Sequence, residues 1–146
     1  MAENTIAPRQ LQPGQRCEVW MASAATGARE LIFTTKELLL EAPNWTPDNA
    51  ALVLNGAGAL WRLDLGTGSL DGLPITGIPD LNNDHVLGPT GTRVYLSAND
   101  GHIYRAELAG GPATRITADE RRRSPAARAM PKLPASAWAA EAAFSA

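Results

Sequence analysis

Two stretches of this chain say nearly the same thing. Asn44 to Gly68 reads NWTPDNAALVLNGAGALWRLDLGTG, and His85 to Gly111 reads HVLGPTGTRVYLSANDGHIYRAELAGG. Pro47 returns as Pro89, 42 residues on, and Trp61-Arg62 returns as Tyr104-Arg105, 43 residues on. A fainter echo lies upstream, where Val19-Trp20 and Thr26-Gly27 precede Leu60-Trp61 and Thr67-Gly68 by 41 residues. A fixed period marks a repeat architecture, in which each unit is one supersecondary piece that cannot bury its apolar face alone.

The units are built of short strands. In the first, Pro43 discourages helix in the lead-in, and Pro47-Asp48-Asn49 is turn chemistry, with proline presetting φ and asparagine tolerating the left-handed region. Leu52-Val53-Leu54 is a short apolar strand, and Gly56-Ala57-Gly58 turns it back. Residues 60–65 then alternate as a strand with one polar face. Gly66-Thr67-Gly68 turns again, and Leu73-Pro74-Ile75-Thr76 is expected as the outer strand, where an edge position can spare proline's missing donor. The second unit follows the same plan: a turn at Pro89-Thr90-Gly91, a strand over 93–97, a two-residue hairpin loop at Asp100-Gly101, an alternating strand over 103–108 and an end at Arg115-Ile116-Thr117. A period of about 40–45 residues with this strand content is the spacing of β-propeller blades. The expected fold is all-β: a partial β-propeller of four-stranded antiparallel blades over residues 16–117. It comprises a two-stranded half blade at 17–34 and full blades at 38–76 and 84–117. Propellers hold about 4–8 blades, so so few units imply a fragment.

The flanks read differently. Residues 1–15 carry Pro8, Pro13 and Gly14 without periodicity and are expected to form a flexible arm. Residues 118–146 hold eleven alanines, three consecutive arginines and three prolines, with no alternating strand. This tail is expected to be disordered or to have left the reading frame of the repeat, with a short helix over 136–144 capped by Ser136 as the one ordered option. On this reading the partners of the strands within 17–34 lie in sequence the chain does not have. Self-association through open blade edges follows, because an unpaired edge is a template for another chain.

Composition excludes several classes. A net charge of −2 and a pI near 5.6 remove nucleic acid as an expected partner, since phosphate binding wants a basic face. Cys17 stands alone, so no intramolecular disulfide forms. The longest aliphatic run, Leu38-Leu39-Leu40, is far too short for membrane insertion. The first residues lack a basic segment followed by an apolar one, so the expected location is cytoplasmic.

The segments EAPNWTPDNAALVLN and HVLGPTGTRVYLSANDGHIYRAELAGG resemble the WD-repeat-like units of TolB-type β-propellers. That family's blades carry a Trp/Phe-Ser-Pro-Asp-Gly turn, an aliphatic strand, a hairpin, an aromatic strand and a Gly-rich turn. The resemblance runs from Cys17 to Thr117. Thr46 stands where the family has serine, Asn49 where it has glycine, and Gly88 and Thr90 where the second turn would have serine and aspartate, which predicts a looser second blade. The resemblance implies a non-enzymatic scaffold for a protein or peptide partner. It leaves open the gating propeller of a serine peptidase or hydrolase, and a fragment of a carbohydrate-active propeller. It also implies the periplasm as an alternative location.

Candidate chemistry is sparse. Asp84-His85 places an imidazole beside a carboxylate, the pairing of a general base or a ligand, and would face the central channel; the plainer reading is a histidine bonded within its blade and an aspartate capping a turn. His102 follows a hairpin, where exposed histidine is unremarkable. No His-x-x-x-His or Cys-x-x-Cys spacing supports a metal, Ser97 lacks the Gly-x-Ser-x-Gly context of a nucleophile, and Gly66-Thr67-Gly68 lacks the third glycine of a phosphate loop. Trp20, Trp45, Trp61 and Tyr104 read as packing between blades before they read as a binding surface. Arg121-Arg122-Arg123 reads as a solvated run. No catalytic residue, cofactor or metal is expected; Asp84 and His85 are the channel-facing candidates.

Overall fold

The structure, a computed structural model, describes residues 7–118 and, as a strand, 138–145. All the regular structure described is β. The upstream echo forms β1 (Arg16–Ser23) and β2 (Arg29–Thr35), joined across the Thr26-Gly27 turn. The first repeat forms β3 (Leu40–Trp45), β4 (Ala51–Gly56), β5 (Ala59–Asp64) and β6 (Leu70–Gly72), an antiparallel sheet in chain order. After β7 (Ile75–Thr76), the second repeat forms β8 (Leu81–Leu87), β9 (Arg93–Ala98) and β10 (Ile103–Glu107). Following β11 (Gly111–Pro112), β12 (Thr114–Arg115) completes the second sheet as β8-β9-β10-β12. Two four-stranded meanders are thus present, as the repeat predicts.

Three expectations need correction. Trp138–Ser145 is not helical: it forms β13, antiparallel to β1, in register from Arg16↔Ser145 to Ser23↔Trp138. The N-terminal piece is therefore three-stranded, β13-β1-β2, and the edge of β1 is covered by this chain itself. A strand needs backbone partners more than propensity, and β1 supplies one along its whole length. The outer strand of the first blade is Leu70–Gly72; Ile75–Thr76 instead pairs in parallel with Gly111–Pro112, tying the two blades together at their rims. The Asp100-Gly101 loop is not a two-residue turn: the Ala98 N–H donates to the His102 carbonyl at 3.0 Å across three residues, and Gly101, at positive φ, closes its N–H on the Ala98 carbonyl. The arginine run at 121–123 and residues 1–6 of the arm lie outside the described residues.

Two apolar clusters separate three sheets. Cys17 and Val19 of the first sheet meet Leu40, Leu52, Leu54 and Leu63 of the second. Val53 and Leu60, on the other face of that second sheet, meet Leu81, Val94, Leu96, Ala98, Tyr104 and Ala106 of the third. Successive side chains of a strand point to opposite faces, so β4 feeds both clusters, and all six of its residues are buried. Trp45 and Trp61 pack against the first cluster, with Trp61 Nε1 donating to the Gly56 carbonyl at 2.9 Å. Cys17 sits in this layer too. Its Sγ is 3.6 Å from the Leu40 carbonyl oxygen and accepts from the Leu40 N–H at 3.4 Å, and burial pushes the thiol pKa up.

Candidate functional site

β3 runs beside β8 on one side and β13 on the other, so the first strands of the blades gather along one line, where a propeller has its channel. Asn44 on β3 reaches across this line and donates from Nδ2 to the backbone carbonyl of His85 at 3.2 Å. His85 points back between the blades. Its ring is buried, and Nε2 lies 3.2 Å from the Val53 carbonyl oxygen, to which it donates when protonated. Burial lowers the imidazole pKa below its ordinary 6.5, against the opposing pull of the Val53 carbonyl and Asp84. The ring is therefore a neutral structural bridge, and its Nδ1 has no partner. Asp84 is exposed, and its backbone N–H is received by Asn82 Oδ1 at 2.9 Å. Asp84 and His85 both line a groove with Val86, Tyr95, Ile103 and Ile116, and no hydrogen bond joins their two side chains.

The other sequence candidates fall elsewhere. Ser97 Oγ accepts from Asn82 Nδ2 at 2.7 Å. His102 sits at the hairpin tip, with Nδ1 3.1 Å from Thr117 Oγ1. Gly66-Thr67-Gly68 is a turn held by Asp64, whose Oδ1 accepts from the N–H groups of Gly66 and Thr67 at 3.0 and 2.9 Å; these bonds hold the Asp64 carboxyl below its ordinary pKa. Among the described residues, no group of three His, Cys, Asp or Glu side chains is placed to hold a metal.

A pocket that sequence reasoning missed opens at the end of the sheets where β3 and β8 begin and β4 ends. Its volume is about 260 Å³, and Arg9, Glu41, Asn55, Asn82, Asn83 and Asn99 are among its walls. The arm expected to be flexible builds part of it: Arg9 pairs with Glu41, and Leu11 packs against the first apolar cluster. Asn83, with its amide oxygen toward the guanidinium, accepts from Arg9 and donates to Glu41 Oε2 at 3.3 Å. Asn55 is 4% exposed and donates to the Asn82 backbone carbonyl, while its Oδ1 has no partner. The pocket floor is fixed by the Leu81 N–H donating to the Gly58 carbonyl at 2.8 Å, and by the Asn99 N–H donating to the Asp80 carbonyl at 2.8 Å. The signals available in sequence were an asparagine ending an apolar run at Leu54-Asn55 and the density of asparagine at Asn82-Asn83 and Asn99.

No family model matches the chain. An uncharacterized protein of Agrobacterium fabrum is 34% identical over 101 residues, which is 66% of this chain and 34% of the relative. A solved structure assigned as a TolB, from Agrobacterium tumefaciens, superposes with a TM-score of 0.67 at 29% identity, over 71% of this chain and 39% of that one. The chain thus spans about a third of the length of the curated relative it matches. Among the described residues, no helix is long and apolar enough to cross a membrane, which says nothing of a β-barrel. Fold and sequence agree: the sheets of this chain are propeller blades resembling those of TolB-type proteins.

Proposed function

We propose that this chain is a non-enzymatic propeller-type scaffold that takes a segment of peptide in the asparagine-walled pocket. The observation that carries this reading is the convergence of four carboxamides, Asn55, Asn82, Asn83 and Asn99, on one pocket. Carboxamide side chains offer one acceptor and two donors, the complement of a backbone amide. The volume of about 260 Å³ suits one or two residues rather than a drug-sized ligand, for which pockets run about 300–1,000 Å³. None of the residues lining the pocket is a serine, cysteine or histidine, so the walls favour binding over nucleophilic turnover.

A random peptide display library screened against the whole chain tests the proposal. Enrichment on the wild type that is lost on Asn55→Leu supports it. Equal enrichment on both proteins, or none on the wild type, overturns it. Turnover of peptide, ester or oligosaccharide substrates that disappears with His85→Ala would overturn the non-enzymatic part.

A further inference from the structure

Among the described residues, the three blade sheets leave two faces without a neighbour, one at each end of the stack. On the third sheet, Val86 and Tyr95 stand opposite each other on the face turned away from the second, since their neighbours His85 and Leu96 point inward. Ile103 and Ile116 share that face, and Ile116 is bonded through its N–H to the Ile103 carbonyl at 2.9 Å. On the first sheet, Cys17 and Val19 point inward, so Trp20 stands on the outer face, with Leu31 opposite it. The exposed large hydrophobics of the described residues are Leu31, Val86, Tyr95 and Ile116, at 44%, 57%, 37% and 49% exposure. Every one of them lies on these two end faces. The rest of the described surface hides its apolar bulk, as soluble surfaces do.

We infer that the occupant of each end face is a second copy of this chain, docked head to tail. The third sheet of one copy covers the first sheet of the other, and the reverse contact closes the pair around a two-fold axis. Area favours closure at two copies. Strands about 4.8 Å apart and about six residues long give roughly 400 Å² for a four-stranded face and roughly 300 Å² for a three-stranded one. One junction then buries roughly 700 Å², below the about 1,200 Å² of stable interfaces, whereas the two junctions of a closed pair bury roughly 1,400 Å², within the standard range. An open chain of copies gains only one junction per added copy, so closure wins. The contact is between faces rather than edges, because β13 already occupies the edge of β1.

Sedimentation velocity on the whole chain, with circular dichroism melts to confirm folding, tests the inference. The expected wild-type species has twice the chain mass. Tyr95→Lys and Leu31→Lys, both pointing outward, should each shift it toward half that mass while keeping the strand signal. A monomeric wild type would overturn the inference, and would mean that the faces are free or covered by residues 119–137 of the same chain. A dimer that survives Leu31→Lys, meaning third sheet against third sheet, or a ladder of larger species would overturn it equally. If either substitution unfolds the chain, Tyr95→Ser and Leu31→Ser carry the same expectations.

Discussion

Strands β4 and β9 occupy the same place in consecutive blades, yet one reads as a solid apolar run and the other alternates. β4 is buried at all six positions, while β9 runs exposed-buried-exposed-buried at Arg93-Val94-Tyr95-Leu96. Neighbours, not the blade, make the difference. β4 has a sheet against each face, and β9 has one only against the side that carries Val94 and Leu96. The burial pattern of a repeat strand therefore reports how many neighbours its blade has. The largest effect expected from this contrast is at Leu54, fully buried in β4. Leu54→Ala should cost about 2–5 kcal/mol, the range for core truncations. Val86→Ala, on the open face of the third sheet, should cost less than about 0.5 kcal/mol. Urea melts in dilute protein, where copies are apart, check both; equal costs would mean that the open face is covered within the chain.

The two blade-opening turns make a second contrast. In the first, Thr46 Oγ1 accepts from the Ala51 N–H at 3.0 Å and donates to Asp48 Oδ1 at 2.6 Å, and Asp48 accepts from the Ala50 N–H at 3.1 Å. These bonds hold the Asp48 carboxyl below its ordinary pKa. The second turn, with Gly88 and Thr90 in those places, keeps the backbone pattern, Gly88 N–H to the Arg93 carbonyl at 2.8 Å and Gly91 N–H to the Gly88 carbonyl at 2.9 Å, and of the side-chain bonds has only an exposed one between the Thr90 and Thr92 hydroxyls at 2.9 Å. Contact with the first blade compensates. A Cβ on Gly91, at φ +70, would stand 2.6 Å from Pro47 Cδ. Gly91→Ala should therefore cost about 2–3 kcal/mol, combining left-handed strain with overpacking. Gly101→Ala, at φ +83 in open space, should cost only about 1–2 kcal/mol of strain. Thr46→Ala should cost about 1–2 kcal/mol, and Gly88→Ser should gain about 0.5–1 kcal/mol by restoring the missing acceptor, since a Cβ there meets only ordinary contacts. Thermal melts of the four variants rank them; a neutral Gly91→Ala would show that the blades meet more loosely than the Pro47 contact implies.

The local parts of the fold were legible because each rests on chemistry within a few residues. Proline and asparagine mark the 46–49 turn, glycines mark the β4–β5 hairpin, and period-two alternation marks β10. What was illegible depends on partners distant in sequence. Trp138–Ser145 has the composition of a helix and becomes a strand because β1 offers it a ladder. Ile75–Thr76 leaves its own blade because Gly111–Pro112 lies alongside it. The pocket was hidden for the same reason, since Arg9, Glu41, Asn55 and Asn83 come from four separate segments. Asp84 and His85 line one groove, but the burial of His85 against the Val53 carbonyl of the neighbouring blade, beside an exposed Asp84, comes from a partner distant in sequence.

His85 supplies the smallest effect and the finest test of the boundary between these blades. Its pKa in the folded chain lies below the ordinary 6.5, chiefly because the ring is buried, with the Val53 carbonyl and Asp84 opposing the shift. The unfolded chain then binds the proton more readily than the folded one. Stability rises with pH where the unfolded state holds more protons, so the contribution of His85 is full above pH 6.5 and falls as pH drops below it. The carboxylates of Glu18, Asp48 and Asp64 are lowered from 4.5, 3.8 and 3.8, so their contributions are lost only at lower pH and leave the histidine window clear. Between pH 7 and pH 6 the loss should stay under about 1 kcal/mol, as one proton near its midpoint allows. Melting temperatures of the wild type should fall across pH 7 to 5.5, while those of His85→Gln should stay level over the same interval. Parallel slopes in the two proteins would remove His85 from the blade boundary as a buried neutral ring, and with it the view that the first strands of the two blades are sealed against water.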